Sequence, residues 1–433
     1  MDIVAFGRAF LGITMAFHIF FALFGVGIPL LVSLAELIGI VRKDGDFTRM
    51  AQRWTFAMAA FFVAGAISGT VLAVVFAVLL PPFMAIVSRV VILPFYIETF
   101  AFFIEAIFLG IYAYTWDRFK GKWTHWLASL PIVVASCASA FFITTVNAWM
   151  SAPQGFSTDA GGAITGVDQW AAMWNAAVPT RTGHSILSYY ATTAFVFAAL
   201  AAFRFVRKGW KDKNASHRRH YEKMLVFSII AAFVFSLAVV ATGDDSARYI
   251  AQHEPEKFAA AEDVVRTGSD EPFVFGGPVA VPGALSFLVG GSEATVVEGL
   301  NAFDPATWPP LGIHYLFDVM IAIGVLMLAV PAAFLIFRFV PRLRAKHGAF
   351  SKAMSWPIVI TGAASVVAVE AGWMFTEIGR QPYTINGFLL TQNAFTNSHA
   401  AIAYAVAFPV FYAALAIATI TVVAGYYRRN EIV

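Results

Sequence analysis

The chain has 433 residues, 59% hydrophobic and only 13% charged, with a net charge of +3 and a mean hydropathy of +0.73. That balance excludes a water-soluble globule of this size, whose surface would carry far more charge. It also excludes nucleic-acid binding through a basic stripe, and no P-loop or dinucleotide fingerprint is present.

Apolar stretches long enough to cross a ~30 Å hydrocarbon core fall at about 10–41, 54–80, 90–115, 124–150, 184–206, 223–243, 313–339, 353–374 and 400–427. The fold expected is therefore all-α and integral to the membrane, with nine transmembrane helices. The first stretch is too long for a cleaved signal peptide, and Asp2 precedes it where a basic segment would stand. Basic residues alternate between loops. Arg42, Lys43, Arg49 and Arg53 follow the first span, and Arg118, Lys120 and Lys122 follow the third. Arg207, Lys208, Lys211, Lys213, Arg218, Arg219 and Lys223 follow the fifth. Arg338, Arg342, Arg344, Lys346 and Lys352 follow the seventh, and Arg428 and Arg429 close the ninth. The intervening loops are poor in Lys and Arg, which places the N-terminus outside and the C-terminus in the cytoplasm. Two outer loops are long, 151–183 and 244–312, and the second has helical character at 255–265. The whole, 1–433, reads as one transmembrane domain that includes the 244–312 loop region.

Polar residues inside such spans are expensive and mark function by default. Threading puts His18 ~12 Å below the outer end of the first span, at a rise of ~1.5 Å per residue. His184 opens the fifth span, Met320 lies about two turns into the seventh, and Glu377 follows the eighth, all on the outer side. With Cys137 the only cysteine, a metal or haem would take His, Met or carboxylate ligands. A His/Met pair suits a low-spin haem, whereas a lone His or carboxylate leaves a position open for oxygen chemistry. Glu98 and Glu105 share one face of the third span, ~10 Å apart in depth, as a proton relay would. Ser139 and Asn147 on the fourth span extend it. Singly, each has a plainer reading: His18, His314 and His399 as packing residues, Met320 as a gap filler, Asp318 and Glu105 as capping or pairing groups. It is their joint placement that favours ligation. A proton-coupled transporter is the alternative, against which the absence of an internal repeat counts.

Three segments carry a family resemblance. Trp373-x-x-x-Glu377-Ile378-Gly379-Arg380-Gln381-Pro382 resembles the G-W-x-x-x-E-x-G-R-Q-P-W signature of cytochrome bd quinol oxidase subunit I. The stretch from Gln252 through Pro255, Lys257 and Ala260 to Glu262 resembles that family's Q-loop segment, Q-P-x-K-x-A-A-x-E, and Asn147-Ala148-Trp149-Met150-Ser151-Ala152-Pro153 resembles A-N-G-W-M-Q-N-P. The start, Asp2-Ile3-Val4 with Arg8 and His18, also matches. The resemblance implies a haem-containing subunit that oxidises quinol at the outer face and reduces O2 to water with cytoplasmic protons, without pumping. It implies His184 and Met320 on haem b558, and His18 and Glu377 on haems b595 and d, in an order it leaves open. The oxygen-site haem is d or a further b. Arg8 and Arg380 would pair haem propionates, Trp373 would lie between haems, and Lys257 and Glu262 would contact quinol. Glu98, Glu105 and Ser139 would carry protons. A homologous subunit II, possible small single-span subunits and a prokaryotic plasma membrane are implied as well.

The chain departs from the pattern in four places. Tyr383 replaces the final Trp, 71–80 lacks the acidic-Phe-Gln-Phe-Gly stretch, Asp318 stands where an Arg is expected, and the Q-loop is short. The second departure keeps open a bd-like subunit with another acceptor, such as nitric oxide. The third sets an anion beside the low-spin haem unless Asp318 is paired.

Overall fold

The computed structural model describes residues 3–208, 215–343, 351–396, 398 and 407–429. Asp2, Lys211, Lys213, Arg344, Lys346 and His399 lie outside them. Among the described residues, nine helices are long and apolar enough to cross a membrane. They are Arg8–Val41, Gly45–Leu79, Leu93–Tyr114, Lys122–Ser151, Val178–Arg207, Ala215–His253, Ile313–Phe339, Lys352–Ile378 and Ala407–Arg429. The chain is a multi-pass membrane protein, and the spans are called first to ninth below.

Local chemistry explains where several helices begin. Asp44 caps the second span by accepting from the Asp46 amide at 3.0 Å, and Ser351 caps the eighth through the Met354 amide at 3.3 Å. Prolines stand in the first turn of Pro81–Val90 and of Leu93–Tyr114, where their missing amide costs nothing. The expected third span, 90–115, is the single helix Leu93–Tyr114, and a separate short helix, Pro81–Val90, precedes it. The sixth span is longer than hydropathy suggests. It runs to His253, so 244–253, expected as loop, is helix.

The first span is the hub, packing on the second, fourth, fifth, eighth and ninth. Its Phe21, Leu23, Ile28, Leu31 and Val32 are all but inaccessible. In lipid such packing rests on close van der Waals fit rather than on escape from water. At one end of the bundle, Lys223 Nζ reaches Asp44 at 2.5 Å and Asp46 at 2.6 Å, and Arg219 reaches Asp46 at 3.1 Å. This joins two of the basic loops. At the other end, segment 254–312 folds over the helix termini. Its Phe258, Leu285, Val297 and Leu300 form a small core with Ile313 and Phe375. A hairpin, Phe273–Phe275 with Val279–Val281, lies within this segment. A second, Tyr383–Ile385 with Leu389–Leu390, follows the eighth span.

Candidate functional site

The eighth span supplies one functional face. Trp373, Glu377 and Arg380 follow one another at helical spacing and point to the same side. Glu377 Oε1 accepts from Asn147 Nδ2 of the fourth span at 2.5 Å, and Oε2 accepts from Arg380 Nη2 at 2.6 Å. Arg380 is 4% exposed. Its Nη1 donates to Ser151 Oγ at 3.1 Å and to the Asn147 carbonyl at 3.4 Å, while its buried Nε has no hydrogen-bond partner among the described residues. Asn147, expected to extend the glutamate relay, instead anchors Glu377. Trp373 Nε1 donates to the Tyr189 hydroxyl of the fifth span at 3.0 Å.

Each of the other three proposed ligands is backed by a glycine on a neighbouring helix. A methyl group at Gly69 would stand 3.1 Å from His18 Cε1, one at Gly243 3.3 Å from His184 Cε1, and one at Gly372 3.2 Å from Met320 Sδ. His18 Nδ1 bonds Ser68 Oγ at 2.9 Å and His184 Nδ1 bonds Thr242 Oγ1 at 3.2 Å. Each ring is thereby oriented through Nδ1, and neither Nε2 has a hydrogen bond among the described residues, the arrangement a ligating imidazole needs. Two oriented imidazoles, a thioether and a carboxylate suit haem iron. Among the described residues no group of three His, Cys, Asp or Glu could hold a bare metal ion. Arg8 is exposed, with no described partner.

On the third span, Glu98 Oε1 accepts from Ser139 Oγ at 2.9 Å, pairing the third and fourth spans as the spacing suggested. Glu105 is 6% exposed, lies within electrostatic reach of Glu98, and makes no hydrogen bond among the described residues. Seven residues on, Tyr112 donates to Glu36 Oε2 at 2.6 Å, and His125 Nδ1 meets Glu36 Oε1 at 2.6 Å, all three buried.

Segment 254–262 carries its charges inward. Lys257 and Glu262 are each 4% exposed. Lys257 Nζ lies 3.5 Å from Glu254 Oε2 and 4.9 Å above the Phe375 ring. Burial lowers the Lys257 ammonium to about 8 although Glu254 opposes the shift. Glu254 goes the other way: burial would raise it, but Arg181 and Lys257 hold it at about 2. Arg181, at the start of the fifth span, is ion-paired with it. Burial, with the charge of Asp318, pushes Glu262 up to about 8. Asp318 is not the free anion feared from sequence. Its Oδ2 accepts from the Gly276 amide at 2.7 Å and lies 3.2 Å from His314 Nε2, an ion-pair distance without hydrogen-bond alignment. His314 Nδ1 in turn bonds the Ala261 carbonyl at 2.8 Å, as expected of a structural histidine. Between the fifth and sixth spans at this end lies a cavity of about 340 Å³ lined by Thr180, Thr242, Arg248, Tyr249 and Gln252.

Sequence reasoning passed over Arg181, Tyr189, Glu36 and Glu370. Arg181 sits in what hydropathy assigns to a loop. Tyr189 is unremarkable within an apolar helix, whereas Glu36, an ionisable group inside the first span, had a readable signal that was passed over. Glu370 had a readable signal, its seven-residue spacing from Glu377.

Comparison with known proteins supplies the remaining frame. The family profile described as cytochrome bd terminal oxidase subunit I matches residues 6–431. The chain is 36% identical over 446 residues to a putative cytochrome bd menaquinol oxidase subunit I of Bacillus subtilis (strain 168), covering 100% of this chain and 98% of that one. It is 26% identical to a cytochrome bd ubiquinol oxidase subunit 1 of the same organism, over 87% of this chain and 83% of that one. Among solved structures, the bd oxidase from Geobacillus thermodenitrificans superposes with a TM-score of 0.91 at 37% identity, covering 99% of each chain.

Proposed function

The chain belongs to the cytochrome bd terminal oxidase subunit I family, and from that premise we propose that it is the haem-carrying subunit of a membrane-bound quinol oxidase. The observation that carries this reading is the Trp373–Glu377–Arg380 face, anchored through Asn147 and Tyr189. The transporter alternative falls with the family match.

His184 and Met320 would hold a low-spin haem, and His18 and Glu377 would serve two high-spin haems. Bound there, haem supplies one-electron steps and an open iron position for dioxygen. The protein residues do the rest. Ser68 and Thr242 aim the imidazoles. Arg380, with its unused Nε, offers a donor for a propionate beyond Glu377, and Arg8 offers another. Glu262 takes a proton from quinol and Lys257 orients the quinol oxygen. Among the described residues, a concave surface beside Gln252 lies at this end, lined by neither Lys257 nor Glu262. Glu105 and then Glu98, with Ser139, pass protons toward the oxygen site from the face where Lys223 and Arg219 lie. On this reading that face is cytoplasmic, the N-terminus is outside, and the residues that would hold the haems lie in the outer half. Electrons and protons thus reach the oxygen site from opposite sides, so charge is separated without pumping. The chain acts as one domain with 244–312 as its quinol loop, beside a homologous subunit II, in a prokaryotic plasma membrane. The curated relatives differ in the quinol their names give, so the ring is assigned here only as a quinol.

A reduced-minus-oxidised spectrum of the purified complex, with haem extraction, tests this. The reading predicts low-spin and high-spin haem bands and quinol-driven oxygen uptake. Absent haem bands defeat it, and nitric oxide turnover without oxygen uptake reassigns the acceptor.

A further inference from the structure

The eighth span carries one more carboxylate, which the function above does not use. Glu370 precedes Glu377 by seven residues, two helical turns and ~10 Å along the axis, on the face that holds Trp373. Its Oε2 is buried and has no hydrogen-bond partner among the described residues. It joins none of the described ion pairs. An ionised carboxylate within a membrane span needs a partner or a counter-charge, and among the described residues no protein group provides one.

The helices packed on the eighth span narrow what faces it. From the fifth span, Tyr189 stands close enough to feel the charge of Glu370 while its hydroxyl accepts from Trp373. On the seventh, Asp318 is engaged with Gly276 and His314. On the first, His18 is engaged with Ser68. On its own helix, Arg380 is committed to Glu377. The charge on this face that changes, given the function proposed above, is that of a haem held at Trp373–Glu377, whose iron is one unit more positive when oxidised than when reduced.

We propose that Glu370 is a redox-linked proton site: ionised while that haem is oxidised, protonated once an electron arrives. The electron comes from quinol and the proton from water on the cytoplasmic side. One O–H bond forms on the carboxylate as one O–H bond of a cytoplasmic hydronium breaks and leaves water, and reoxidation returns the proton to water. In a low-dielectric interior an added negative charge is strongly disfavoured, and a proton taken up nearby cancels it. Tyr189, tied to Trp373, is the positioning residue that joins Glu370 to the haem-bearing face.

The test uses the intact purified oxidase complex. Redox-difference infrared spectra should show a protonated-carboxyl C=O band appearing on reduction. The band should vanish in Glu370→Gln, move in Glu370→Asp and shift slightly in Tyr189→Phe. The high-spin midpoint potential should lose much of its pH dependence in Glu370→Gln. A Glu370→Gln complex with full haem content, the same band and the same pH slope overturns the proposal. If Glu370→Gln does not assemble, Glu370→Asp decides: a moved band supports the assignment and an unmoved one overturns it. Missing haem bands in the unaltered complex would defeat both this inference and the oxidase reading, whereas the haem-replete outcome defeats this inference alone.

Discussion

The third and eighth spans carry the same pattern, two glutamates seven residues apart, in opposite surroundings. Glu377 on the eighth is held by an amide and a guanidinium, at 2.5 and 2.6 Å. Glu98 on the third has one hydroxyl, Ser139, and Glu105 has none. The helices differ as well. The third turns Phe100, Phe103 and Ile107 outward, 57–70% exposed, whereas the eighth packs between the fifth and seventh. Spacing alone therefore does not assign a role. A carboxylate with fixed donors is kept ionised and in place, as a ligand must be. One with few partners is free to gain and lose a proton, as a relay must.

The sharpest break of this contrast is Glu377→Ala. It should remove one high-spin haem from the complex, read by pigment extraction, whereas Glu98→Ala should leave the haem count unchanged. Next in size, Arg380→Ala leaves Glu377 without its buried guanidinium and should destabilise the outer end by about 3 kcal/mol, seen as a lower melting temperature of the complex. Glu105→Gln should keep every haem but slow oxygen uptake on the order of a hundredfold, the usual scale for a lost proton-transfer group. Full uptake in that variant would remove the third span from the proton route.

A smaller effect concerns pH. Glu262 must be ionised to take a proton, and burial pushes it up to about 8. Quinol oxidation, measured as kcat/KM, should rise with pH toward 8, and Glu262→Gln should abolish that limb. Lys257 loses its charge as pH passes about 8, so the falling limb should disappear in Lys257→Met. The smallest effect expected is Trp373→Phe, which gives up one hydrogen bond to Tyr189, about 1 kcal/mol. It should shift high-spin spectra slightly without loss of haem.

The spans were legible because hydrocarbon thickness imposes a length that hydropathy detects directly. Their ends were less so. The sixth span continues ten residues past 243 as a polar helix, which hydropathy cannot see. Ser246 donating to the Thr180 carbonyl at 3.2 Å and Arg248 to the Val289 carbonyl at 3.3 Å hold it. The Glu98–Ser139 contact was readable from helical periodicity on adjacent spans. The Glu377–Asn147 contact was not, because its partners are 230 residues apart and either spacing pattern would have served. Asp318 looked like an unbalanced charge in one dimension and is bonded to a loop amide 42 residues away.

The order of apolar and basic segments thus determined by itself that this chain crosses a membrane repeatedly, and its short motifs determined its family. Both are local properties, set by the cost of placing charge in lipid and by residues adjacent along one helix. Which carboxylates are pinned and which are loose was decided only when distant helices met. A partner's donor can hold an anion only across a few ångströms, and no distance along the chain specifies that approach.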